Sequence, residues 1–172
     1  MDGDTTLLIE QTIPTSINRV TKKIAELKPK GHERLLTEQT LSGGSVSTPT
    51  GIDYPRIDLT ALTNSIVIEG KFHAVNLLTT TGSVNWRGYP VEAMPVLGLA
   101  SVHNRFCYFV EYPYLYLGYT SGITDVTSIK ITHYTFMNIT DFPVELKDYL
   151  VDDLLMILQA EAQKKAIEDA KK

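Results

Sequence analysis

The stretch from Asp141 to Lys172 limits most strongly what this chain can become. It reads DFPVELKDYLVDDLLMIL and then QAEAQKKAIEDAKK. Asp141 is a helix-capping residue type, and Pro143 suits a first helical turn because its missing N–H costs nothing there. No Gly or Pro follows, so a long helix is expected over residues 142–170. At about 100° per residue, with Leu146 at zero, Leu150, Leu154 and Ile157 fall within one arc. Leu158, Val151 and Leu155 continue it, and Tyr149 and Met156 lie on the far flank. Only Asp148, Asp152 and Gln159 form a clearly polar wedge. One sheet cannot cover a helix that is apolar around so much of its circumference. It needs a second neighbour, either the other helix of this chain or another copy. Asp153 falls on the apolar arc and requires an Arg or Lys partner if it is buried. From Gln159 onward the residues favour helix but bury little, so the helix is expected to run out of the body.

Everything before that segment reads as β-structure preceded by one short helix. Ile13, Ile17, Val20, Ile24 and Leu27 recur at spacings of four and three, while Asn18, Arg19, Lys22, Lys23 and Glu26 face away. That pattern predicts a surface helix over 13–28, stopped by Pro29 and Gly31. Residues 1–12 are expected to form an arm whose Leu7, Leu8 and Ile9 seek cover on the body or on a neighbouring subunit. The β-region spans 32–140. It begins with the ambiguous run HERLLTEQTL, read as strand, and contains a Gly/Ser-rich flexible loop at 42–51. Two strands are expected around Gly70, with Ile66, Ile68 and Phe72 pointing inward. PVEAMPVLGLA, broken by Pro90, Pro95 and Gly98, reads as loop or edge. The clearest β-signal is RFCYFVEY, YLYLGYTS and SIKITHYTF, an antiparallel meander feeding the last helix. The expected fold is α+β in a single domain over 1–172: a central antiparallel β-sheet or small sandwich flanked by an N-terminal helix and a long C-terminal helix.

Composition excludes several functions. The net charge of −4, with no block of Lys and Arg, argues against a general grip on nucleic-acid phosphates. No apolar run approaches the ~20 residues of a membrane span, and the acidic start MDGDTTLLIEQTIP is not expected to be a signal peptide. A single Cys107 permits no internal disulfide and is expected in the core. His32, His73, His103 and His133 have no metal-ligand spacing, so no metal site is expected. SGGSVSTPTG lacks the Lys and following helix of a phosphate loop, and no cofactor is expected. Adjacent Asp152 and Asp153 point about 100° apart and cannot share a substrate. No catalytic residues are expected, and the chain is read as no enzyme.

Five of the nine tyrosines, Tyr108, Tyr112, Tyr114, Tyr116 and Tyr119, fall within twelve residues. Such density serves a core, an interface or a sugar-binding platform. A core shared with a subunit interface is the default. A β-sandwich binding module for carbohydrate or protein is the alternative, using exposed Tyr112, Tyr114, Tyr116 and Trp86. On helix phase, the candidate oligomer interface comprises Tyr149, Val151, Leu155, Met156 and Leu158, together with Leu7, Leu8 and Ile9 of the arm.

The aromatic strand pair YFVEYPYLYLGY, the strand SIKITHYT and the helix opening FPVELKDYLVDDLLMIL resemble the C-terminal half of ring, adaptor or head-to-tail connector proteins from the necks of tailed bacteriophages. The likeness is nearest to short-tailed phages of the crAss-like kind. It covers roughly Phe106 to Ala162 and is one of pattern, with no single diagnostic residue. The resemblance implies a structural virion protein, assembled in the host cytoplasm, in a homo-oligomeric ring that is commonly twelve-fold. Its implied partners are the portal and other neck or tail proteins, and DNA passing through the ring without specific binding; no membrane partner is expected.

Overall fold

The computed structural model describes residues 3–42, 46–48, 50–51, 54–66, 71–79, 85–99, 106–119 and 126–171, with the backbone alone for 3–9, 66, 85, 99 and 119. The chain divides into two compact units. One joins both ends of the chain, Met1–Leu35 with Phe136–Lys172, and the other is continuous, Leu36–Thr135. The division follows the bonding: the two helices pair with each other, while the strands close their ladders within the middle of the sequence. The class is α+β, with a helix at each end of a β-region.

In the helical unit, α1 spans Gly3–Leu27 and α2 spans Lys147–Asp169. Residues 3–12, expected as an arm, are therefore helical. Thr5 to Ile13 contain no helix breaker and several strong helix formers. Pro14 lies inside the helix; its penalty of ~3 kcal/mol is outweighed by the turns on both sides. Ile17, Val20 and Ile24 are fully buried, as their spacing predicts, whereas Leu27 at the end of the stripe is exposed. The helix stops where Lys28 takes a left-handed φ of 47°, with Gly31 following at 90°.

At the other end, Asp141 does not cap α2. Pro143 is extended (ψ 131°) and starts a short 3-10 turn, Val144–Leu146, and α2 begins only at Lys147 with no side-chain cap. Phe142, Leu146 and Leu150 are buried.

The sheet unit contains β1 (Leu36–Ser42), β2 (Arg56–Asp58), β3 (Ser65–Ile66), β4 (Ala74–Thr79), β5 (Asn85–Pro90), β6 (Phe106–Glu111), β7 (Tyr114–Tyr119) and β8 (Val126–Thr135). Seven strands run in the order β1-β8-β4-β5-β6-β7-β2, and the two-residue β3 also pairs with β8. The sheet is mixed and not wholly antiparallel, because β5 and β6 pair in parallel with Gly88 opposite Phe106. A tight hairpin would have reversed the chain, but the longer connection after Pro90, with its 3-10 turn Met94–Leu99, allows a crossover. The β6–β7 hairpin turns at Tyr112-Pro113, where the peptide bond is cis. The expected strand at 32–41 divides into a 3-10 turn, His32–Leu35, and then β1.

Alternation puts Val75, Leu77, Phe106, Tyr108, Leu115, Leu117, Ile129 and Ile131 into one core cluster, joined by Phe72. Ile68 lies outside the described residues, as does the side chain of Ile66. Val46, in the loop read as flexible, packs on this core, and Ser47 makes a two-bond bridge with Arg56. Cys107 is half-buried. Gly118 is needed where it stands: a Cβ there would meet the Leu97 carbonyl oxygen at 2.6 Å.

His133 on β8 is completely buried. Its Nδ1 lies 3.2 Å from the Tyr134 carbonyl oxygen, which can only accept, so Nδ1 carries the proton. Nε2 finds no partner among the described residues. Burial disfavours the imidazolium and lowers the pKa, against the smaller effect of that hydrogen bond. The folded chain therefore takes up this proton only at lower pH than the unfolded chain. Its contribution to stability is complete above about pH 6.5 and declines as pH falls through that value toward the folded pKa. Urea midpoints measured at about pH 7.5 and 5.5 should differ more for the parent than for His133→Leu.

Candidate functional site

The site is built on the two paired helices. Leu150 is the one fully buried residue of α2, and Leu154, Ile157 and Leu158 are half-buried. Beyond them the apolar surface continues into water: Val151 is 51% exposed, Leu155 50%, Met156 68% and Ile167 57%. Every described residue from Gln159 to Lys171 is exposed, so the last half of α2 projects with nothing of its own unit over it. An isolated helix segment of that length is marginal in water.

The residues expected to form an interface divide accordingly. Val151, Leu155 and Met156 are exposed, and Tyr149 and Leu158 are half-buried. Leu7, Leu8 and Ile9 sit in α1 and not in an arm, and their side chains lie outside the described residues. Ile167 was not among the expected residues, although it lies on the same flank as Met156 at helical phase.

Asp153 has the partner its position demanded. Arg19 of α1 donates from Nε to Oδ1 at 2.7 Å and its Nη2 lies 2.6 Å from Oδ2. The buried Ser16 hydroxyl donates to Oδ2 at 2.5 Å. Desolvation pushes this carboxyl up, but the hydrogen bonds from Arg19 and Ser16, with the charges of Arg19 and Lys23, outweigh it and hold the pKa below the usual value. Asp153→Ala leaves the Ser16 hydroxyl buried without its acceptor and should cost about 1–3 kcal/mol. Arg19→Ala, at a half-exposed side chain, should cost under about 1 kcal/mol. Denaturation midpoints of the two variants would rank them. The Asp153 contribution is present above about pH 4 and is lost as pH falls through its lowered pKa.

Beside this bridge, Pro14, Thr15, Asn18, Arg19, Lys22 and Phe136 line an open depression of about 490 Å³. Helix phase puts Asn18, Arg19 and Lys22 on the outer face of α1 but gives no sign that Phe136 joins them, since that residue is distant in the chain.

No protein-family model matches the chain, and no curated protein does.

The four aromatic residues expected to form a binding platform are not exposed together. Tyr112 is 74% exposed, but Tyr116 is buried and Tyr114 and Trp86 are half-buried. Arg56 stacks 3.8 Å over the Tyr114 ring, and Tyr114 meets Tyr116 edge-on at 6.3 Å. Among the described residues no three His, Cys, Asp or Glu side chains gather as a metal site would require, and no helix is long and apolar enough to cross a membrane.

Proposed function

We propose that this chain is a structural virion protein, a subunit of an oligomeric ring in the neck of a tailed phage. In this reading the ring joins portal to tail and lines the path of DNA exit, with twelve copies as the sequence resemblance implies. The role is structural and not enzymatic, and the protein is assembled in the host cytoplasm. One observation carries the proposal: the apolar surface of α2 that its own unit leaves in water at Val151, Leu155, Met156 and Ile167. Fully burying such side chains is worth ~1.5–3 kcal/mol each, so covering the exposed half recovers roughly half of that at each position. A partner helix or sheet supplies that cover.

Net charge supports the same reading. A chain at −4 does not hold phosphates by general attraction, which suits a wall that DNA slides past. A binding module built on Tyr112, Tyr114, Tyr116 and Trp86 has less support, because only Tyr112 of the four is freely exposed. Mass measurement of the purified full chain across a range of concentrations, alone and with a portal partner, tests the ring. The expected result is a closed multimer. A strictly monomeric species that joins no particle would overturn it.

A further inference from the structure

Two faces of the helical unit have complementary character. On α2, Asp148, Val151, Asp152 and Leu155 follow i, i+3, i+4, i+7 spacing and so share one face, and all four are exposed. On α1, Thr15, Asn18, Arg19 and Lys22 follow the same spacing. They are also exposed, and with Pro14 and Phe136 they line the depression of about 490 Å³. One surface thus offers two aliphatic side chains flanked by two carboxylates. The other offers an apolar seat, Pro14 and Phe136, rimmed by the Lys22 ammonium and by the Arg19 guanidinium, whose Nε and Nη2 already hold Asp153. Among the described residues neither Asp148, Asp152 nor Lys22 has an ion-pair partner.

We propose that these faces are the two halves of one contact between copies of this chain. The outer face of α2 from one copy seats in the α1 depression of the next. Val151 and Leu155 meet Pro14 and Phe136, and Asp148 and Asp152 meet Lys22. The occupant is a second copy because this chain itself carries the matching apolar pair and the opposite charges at matching helical spacing. The contact joins unlike surfaces, so each copy still presents one face of each kind after pairing. Head-to-tail addition then continues until the rotation closes a ring. The inference rests on the oligomeric reading above and names the surfaces that reading needs.

The full chain carries the test as three samples: Lys22→Glu, Asp152→Lys, and their equimolar mixture. Both positions are exposed, and far-ultraviolet circular dichroism checks that the helices persist. Each variant alone places like charges across every contact, and its assembly midpoint should move to at least about tenfold higher protein concentration. In the mixture an alternating arrangement restores opposite charges at both kinds of contact, so assembly returns. If the parent assembles and the single variants assemble equally well, or if the mixture stays dissociated, the docking is overturned while the ring reading stands. A parent that never assembles overturns both.

Discussion

Phe106→Ala should destabilise the sheet unit by about 3–5 kcal/mol, the range expected when a buried aromatic ring is deleted. Phe106 opens β6, is 1% exposed, and lies between Gly88 of β5 and Tyr119 of β7 in the ladder. Its ring occupies the space that a side chain at position 88 would need: a Cβ on Gly88 would sit 2.6 Å from the Phe106 Cε1. Removing the ring therefore leaves a hole beside a residue with no side chain to fill it, and collapse is restricted. Tyr108, whose Cδ1 would be 2.9 Å from the same Cβ, is held on the other side by its hydroxyl, which lies 3.4 Å from the Phe72 carbonyl oxygen. Urea titration of the variant would give the loss as a shift in midpoint at unchanged slope. A loss under about 1 kcal/mol would mean that the ring is not packed as described.

Leu150→Ala should cost about 2–5 kcal/mol, because Leu150 is the only residue of α2 with its side chain fully enclosed. The comparison along the same helix is what makes the result informative. Met156→Ala, at a side chain 68% exposed, should change stability at low protein concentration by no more than about 0.5 kcal/mol. Leu154→Ala should fall between them. Helix phase alone places Leu154 beside Leu150 in the arc expected to be buried, yet it is only half-buried. Measurements at several protein concentrations would separate intramolecular packing from the proposed contacts between copies. Equal losses at all three positions would overturn this assignment of faces.

How far the amino-acid sequence could be read follows from which forces are local. The existence of β6, β7 and β8 was legible because runs of aromatic and β-branched side chains bounded by turn residues are a local signal. Asp153 was legible in the same way: a carboxylate on an apolar arc needs a cation, and Arg19 supplies it. Boundaries were harder. The start of α1 is hidden in the sequence because a Pro such as Pro14 ordinarily sits in a first turn, although this helix of 25 residues absorbs it. The parallel pairing of β5 with β6 has no local signature, since it depends on how a long connection returns to the sheet. Phe136 beside Lys22 depends likewise on tertiary placement. The exposed character of α2 was legible only as excess apolar circumference; which side its own chain leaves uncovered came from the fold.

The helical unit is assembled from two segments that are distant in the sequence, and this imposes an order on synthesis. When α1 leaves the ribosome its partner has not been made, and roughly 120 residues must follow before α2 begins, a delay of ~6–24 s at 5–20 residues per second. Ile17, Val20 and Ile24 spend that interval without α2, while the strand segment between them has its full sequence and can fold first. Nascent chains released before α2 is made would carry a first helix without its partner, which makes them the form that a chaperone or protease would engage.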